Sequence, residues 1–140
     1  MIEKKEIEAI KAYAKKNKLI TVSPGTYHKW CDKNIVCNCI EWLEVFRGAE
    51  AVITDTFHGT IVAAISNVPM AVFVRSKINA NKLTDLIKKL HINDRNLKKI
   101  SESNLENVFS KELDLNELNK SIKNMSRKVN DYLIEAIAKC

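Results

Sequence analysis

The sequence predicts an α/β protein, a Rossmann-like three-layer domain with helices on both faces of a parallel sheet. Two observations predict it. Strand-like and helix-like segments alternate along the chain. The two strongest strand segments, Ala51-Val52-Ile53-Thr54 and Met70-Ala71-Val72-Phe73-Val74, are continuously apolar rather than alternating. A strand that is apolar on both sides is one covered on both faces, as in parallel sheets. The chain has 140 residues, which suits one domain with a real core, so residues 1–140 read as a single unit.

Each element has its own signal. Residues 3–16 carry Ile7, Ile10, Tyr13 and Ala14 at helical spacing among Lys and Glu, the pattern of a surface helix. Leu19-Ile20-Thr21-Val22-Ser23 reads as a short strand stopped by Pro24-Gly25. Residues 26–35 show no period and read as a loop. Val36, Ile40, Leu43 and Phe46 recur every three or four residues, which sets a helix over about 38–47 that Gly48 ends. Asp55 closes the strand at 51–54. His58 to Ser66 then reads as a helix of small and apolar residues, closed by Asn67 and Pro69. After the Met70–Val74 strand, Leu83, Leu86, Ile87 and Leu90 mark another helix, and past Ile100 the chain is helical and polar. Over 114–138, Leu118, Ile122, Met125, Val129 and Tyr132 follow at steps of three and four, a long helix with one narrow apolar seam. That seam either packs on the chain's own sheet or reaches across to another half of a longer parent chain.

Composition narrows the function. No apolar run approaches the roughly 20 residues that span a bilayer. Met1-Ile2-Glu3-Lys4-Lys5 leads into a polar stretch without a signal-peptide core, so a cytoplasmic protein is expected. The net charge of +6 comes from Lys spread between Lys4 and Lys139. Nucleic-acid binding calls for clustered cations interleaved with aromatics, whereas a mild dispersed positive field suits an anionic small molecule. Cys31, Cys37, Cys39 and Cys140 read as free thiols. With His28 the first three make the spacing H-x2-C-x5-C-x-C, which fits no zinc pattern, so no metal site is expected.

Open parallel sheets bind ligands beyond the carboxyl ends of their strands. Thr54-Asp55-Thr56-Phe57-His58-Gly59-Thr60 lies at such an edge and opens a helix, whose first N–H groups and dipole favour an anion. The plainer reading, in which Asp55 or Thr56 is an N-cap and His58 a helix-start residue, stands beside it. Arg75, Ser76, Lys77 and Lys82 follow the next strand, as cations at the ligand edge or as ordinary surface charge. His28 and His91 read as solvated or capping, and Asp94-Arg95 as an ion pair in a turn.

These residues carry a resemblance. Ala49 to Thr60 resembles the "A-x-x-V-I-T-D-S-F-H-G-T" stretch of the polysaccharide pyruvyl transferase family. Asn67-Val68-Pro69 is similar to its "N-K-P", and Leu83 to Arg95 to its "L-L-x-x-L-G-L-x-D-R". The likeness covers roughly residues 38–97, three linked pieces in order. It implies the C-terminal half of a two-domain, glycosyltransferase-B-like enzyme, with Met1 falling inside a longer parent. It implies transfer of a pyruvate ketal from phosphoenolpyruvate, the donor substrate, to a sugar of a surface polysaccharide or its precursor, with no cofactor. It implies His58 as donor-binding residue and general acid. The turn residues Asp55, Thr56, Gly59 and Thr60, and the cations Arg75, Lys77 and Lys82 after the next strand, are the substrate-binding candidates. The partners it implies are an anionic donor, a glycan acceptor and the missing N-terminal domain. Thr56 stands where some members carry Arg, and a hydroxyl does not clamp a carboxylate as Arg does. Two other readings are a glycosyltransferase-B-type domain for a nucleotide-sugar and a non-catalytic module that self-associates through the last helix.

Overall fold

The computed structural model describes residues 2–75 and 77–138, the side chains of residues 77–79 excepted. Among the described residues, six helices and five short strands follow in the order α1 (Lys4–Lys16), β1 (Val22–Pro24), β2 (Lys33–Ile35), α2 (Cys39–Arg47), β3 (Val52–Thr54), α3 (Phe57–Ile65), β4 (Met70–Phe73), α4 (Lys77–Lys89), β5 (Asn96–Leu97), α5 (Glu102–Phe109) and α6 (Leu115–Ala138). A 3-10 turn at Asn93–Arg95 leads into β5.

The strands form two parallel sheets. One has the order β3-β4-β5, with Val52 opposite Met70 and Val72 opposite Asn96. The other pairs β1 with β2, Val22 opposite Lys33. The central strand β4 separates two cores by strict alternation. Met70 and Val72 face a cluster from α2, α3, α4 and α6 that includes Phe46, Val62, Leu86 and Leu118. Ala71 and Phe73 face Ile10 of α1 and Leu105 and Val108 of α5. Helices therefore lie on both sides of the sheet, the three-layer arrangement expected of continuously apolar strands.

Two expectations are corrected. Residues 26–35 are not wholly loop, because Lys33–Ile35 forms β2. This strand is polar and mostly exposed, so it carries no hydrophobic pattern. It is held instead by Asp32, whose carboxylate accepts from the backbone N–H and hydroxyl of Thr21 at 2.7 and 2.8 Å. The first strand begins at Val22 and includes Pro24, where the sequence suggested 19–23 with Pro24 as its stop. A proline without an N–H is tolerated at a sheet edge. The seam of α6 divides: Leu118, Ile122 and Met125 pack on the first core, while Val129 and Tyr132 are exposed.

The Asp94-Arg95 pair exists, with Arg95 Nε 3.2 Å from Asp94 Oδ2, but its main work lies elsewhere. Arg95 is fully buried, and its guanidinium donates to the carbonyls of Val108 and Glu112, just where α5 ends. Carbonyls at a helix C-terminus lack intrahelical partners, and a cation is the favoured donor there.

Candidate functional site: a cleft at the sheet edge

A cleft of about 460 Å³ opens at the carboxyl ends of β3 and β4, bounded on its other side by α1 and the β1–α2 segment. Its lining includes Thr54, Asp55, Thr56 and Arg75 at a polar end, and also His28, Trp30 and Trp42.

Arg75, just past β4, organises the polar end. Its Nε donates to Asp55 Oδ2 at 2.6 Å and its Nη1 to Glu6 Oε2 at 2.8 Å. Its guanidinium carbon lies 4.6 Å above the Phe73 ring, a cation–π contact. One side chain thus joins α1, the end of β3 and the end of β4. Burial alone would raise the Glu6 carboxyl, but the Glu3 backbone N–H and the Arg75 guanidinium outweigh it and hold it below the usual carboxylate range. Burial likewise works against the charge of Arg75, and the two carboxylates more than offset it.

Thr56 is the N-cap of α3, its Oγ1 accepting from the Gly59 N–H at 3.0 Å. Thr54 Oγ1 lies 3.2 Å from Thr56 Oγ1 and accepts from the Thr56 N–H at the same distance. Gly59 sits against this pair of hydroxyls. A Cβ there would stand 2.3 Å from Thr54 Oγ1 and 2.8 Å from Thr56 Oγ1. The glycine is helical and buried, so its use is space rather than flexibility. Thr60 is buried, and its hydroxyl donates to the Thr56 carbonyl at 2.8 Å. Among the described residues, no acceptor takes the backbone N–H of Phe57 or His58, the first two donors of α3.

The sequence candidates therefore separate. Asp55, Thr56, Gly59 and Arg75 line the cleft together. Thr60 supports the turn from beneath. His58 is exposed on the first turn of α3, its ring edge-on to Phe57 at 6.0 Å, beside the cleft rather than within its lining. Lys82 lines a different groove, between α3, α4 and α6. The side chain of Lys77 lies outside the described residues, as does Cys140.

The sequence did not single out Glu6, Trp30 or Trp42, and it set His28 aside. Glu6 had a signal: with Ile10 and Ala14 it falls on one stripe at steps of four, and all three are buried. His28 is half-buried and faces the cleft. Its backbone is clamped by Asn34 of β2, whose Oδ1 accepts from the His28 N–H at 2.8 Å and whose Nδ2 donates to the His28 carbonyl at 3.2 Å. Cys31 also lines the cleft. Burial pushes its thiol up, with the Asp32 charge adding to the effect and a Thr21 hydrogen bond opposing it. Cys31 and Cys37 are half-buried and Cys39 is exposed, all three free. Among the described residues, no three His, Cys, Asp or Glu side chains gather where they could hold a metal ion.

Fold and cleft define a class: an α/β domain with parallel sheets and a cleft at the strand ends. Comparison with known families narrows it. The profile described as "Polysaccharide pyruvyl transferase" matches residues 4–77, from the start of α1 to the start of α4 and more than half of the chain. The chain belongs to that family. The match takes in α1 and the cleft lining except Ile2, Ile100 and Phe109, reaches further to the N-terminal side than the resemblance over 38–97, and stops short of Leu83–Arg95. No curated protein and no solved structure gives a significant match. No helix among the described residues is long and apolar enough to cross a membrane.

Proposed function

We propose that this domain binds phosphoenolpyruvate in the cleft at the ends of β3 and β4 and serves pyruvate-ketal transfer to a polysaccharide sugar. The observation that carries the reading is the convergence of Arg75, the Thr56-capped start of α3 and its two unpaired N–H groups at one sheet edge, within a chain of the pyruvyl transferase family. The donor offers a carboxylate and a phosphate, and a guanidinium and a helix N-terminus are the two protein groups best suited to them.

In this reading the Arg75 guanidinium takes one anionic group of the donor and the N–H groups of Phe57 and His58 take the other. Thr56 acts by shaping the helix start, since its hydroxyl is committed to the Gly59 N–H. Its place in the cap explains how a hydroxyl can stand where other members carry Arg: Arg75 brings the cation from the neighbouring strand. His58, at the rim, gives a proton to the methylene carbon as general acid. The double-bond electrons form the new C–H bond, and C2 becomes electrophilic. A sugar hydroxyl adds at C2 and loses its proton. A second hydroxyl then takes the place of phosphate, which leaves with the C2–O bonding pair; of the two hydroxyl protons, one restores His58 and the other leaves with phosphate. The products are the ketal and inorganic phosphate. The acceptor is held in part by a further domain of a longer parent, with this chain as the C-terminal, donor-binding half. Lys82 would then contribute at most to the wider field, because its groove is a different one.

Calorimetric titration with phosphoenolpyruvate and with nucleotide-sugars, alongside imidazole NMR of His58, tests the reading. Phosphoenolpyruvate should bind and move the His58 signals, and Arg75→Gln should weaken it about tenfold or more. Binding of a nucleotide-sugar without binding of phosphoenolpyruvate would replace this reading with a nucleotide-sugar transferase domain.

A further inference from the structure

Arg75 is the cation of the cleft, yet two carboxylates already occupy it, so Glu6, Arg75 and Asp55 together carry one net negative charge. An anion that takes the Nε edge of this guanidinium must displace Asp55, and one that approaches elsewhere meets the net negative charge of the trio. The two carboxylates are not equally fixed. The Glu6 side chain is 11% exposed, and its Oε2 takes both the Glu3 N–H and Arg75 Nη1 at 2.8 Å. The Asp55 side chain is 43% exposed. It stands between the last residue of β3 and the cap of α3, outside both elements. Asp55 can turn away without breaking a strand pairing or a helical hydrogen bond.

We propose that Asp55 is a specificity-determining residue, a resident carboxylate that keeps Arg75 occupied until a multiply charged anion displaces it. The inference rests on the reading of Arg75 as the donor's cation. A monocarboxylate that displaced Asp55 would replace one single charge by another and forfeit the advantage of a group already tethered beside the guanidinium. An anion with a phosphate and a carboxylate gains where Asp55 cannot: it meets Arg75 and also reaches the N–H groups of Phe57 and His58. Asp55 thus sets a charge threshold, excluding chloride and simple carboxylates and admitting phosphorylated acids. Glu6 is the positioning residue that keeps the guanidinium in the cleft when Asp55 leaves.

Titration of the wild-type chain, Asp55→Asn and Arg75→Gln with acetate, inorganic phosphate and phosphoenolpyruvate tests the proposal. Wild type should bind phosphate and phosphoenolpyruvate but not acetate at millimolar concentration. In Asp55→Asn phosphate should bind about tenfold tighter, and acetate should become detectable, since the internal competitor is gone. Arg75→Gln should lose these gains. In wild type, phosphate should also shift the Arg75 Nε–H NMR signal as its Asp55 partner leaves, a readout that needs no variant to fold. Equal or weaker phosphate binding by Asp55→Asn, or an Arg75 signal unmoved at saturating phosphate, overturns the filter. If phosphoenolpyruvate nevertheless binds the wild type, the donor reading survives that loss. If Asp55→Asn strengthens phosphate while phosphoenolpyruvate binds no tighter than phosphate, the filter stands and the donor reading falls.

Discussion

At the scale of single residues, Glu6 makes a measurable claim. Its folded pKa is depressed, so it stabilises the protein above its unfolded pKa, and that contribution is lost as pH falls through the lower folded value. Wild type should therefore lose stability between about pH 5 and pH 3 more steeply than Glu6→Gln, read as urea midpoints across that window. Parallel curves would mean that the Arg75 bridge contributes nothing through its charge. Gly59 makes a second claim. Its missing Cβ leaves room for Thr54 Oγ1, so Gly59→Ala should destabilise by about 1–3 kcal/mol. Thr54→Ala in the same chain should recover part of that loss, because it removes the nearest clashing atom, and a double-mutant cycle of melting curves measures the recovery. Legibility at this scale followed sequence contiguity. Asp55, Thr56 and Gly59 were readable because they lie within a few residues at a strand-to-helix turn. Glu6 and His28 were not, because a fold brings them to that turn from far along the chain.

Elements show the same division. The apolar strands β3 and β4 and the periodic helices were legible, since burial imposes a pattern on them. β2 and β5 were not, being short and held by backbone and side-chain hydrogen bonds rather than by an apolar face. Helix ends add a regularity that composition hides. α1, α3 and α4 each close with a left-handed residue, at Lys18, Asn67 and His91, with φ of 56°, 55° and 58°. After each of these the next N–H reaches back across the last turn, from Leu19 to Ala14, Val68 to Ala63 and Ile92 to Ile87, at 2.8, 3.1 and 3.1 Å. This is the Schellman closure, which glycine makes without a Cβ penalty. The chain has only three glycines and places none of them there. Asn tolerates the left-handed region, whereas Lys and His pay about 1 kcal/mol for it. Lys18→Gly and His91→Gly should each stabilise the protein by about 0.5–1 kcal/mol in denaturant titrations, and Asn67→Gly by less. Loss of stability in both would show that the Lys18 and His91 side chains contribute more than their backbone strain costs.

For the molecule as a whole, two cores lie on either side of β4, and α6 decides how far the larger one extends. With 24 residues it is about 36 Å long, more than the core beneath it uses. Leu118 and Ser121 are buried and Ile122 and Met125 are partly so, but from Val129 onward Tyr132, Leu133, Ile134 and Ile137 are all exposed. The continuous apolar period shows no sign of this break, because a seam of constant composition looks the same whether or not something covers it. Packing energy should therefore fall off along the helix. Leu118→Ala should cost about 2–5 kcal/mol, the usual range for a buried leucine. Ending the chain after Asn130 should leave the urea midpoint and its slope nearly unchanged, within about 0.5 kcal/mol, as expected for segments that bury little. A large loss on truncation would show that the last turns stabilise the fold through contacts beyond those of Leu118 to Met125, and a mass that falls to that of one chain on truncation would show that those contacts lie between copies.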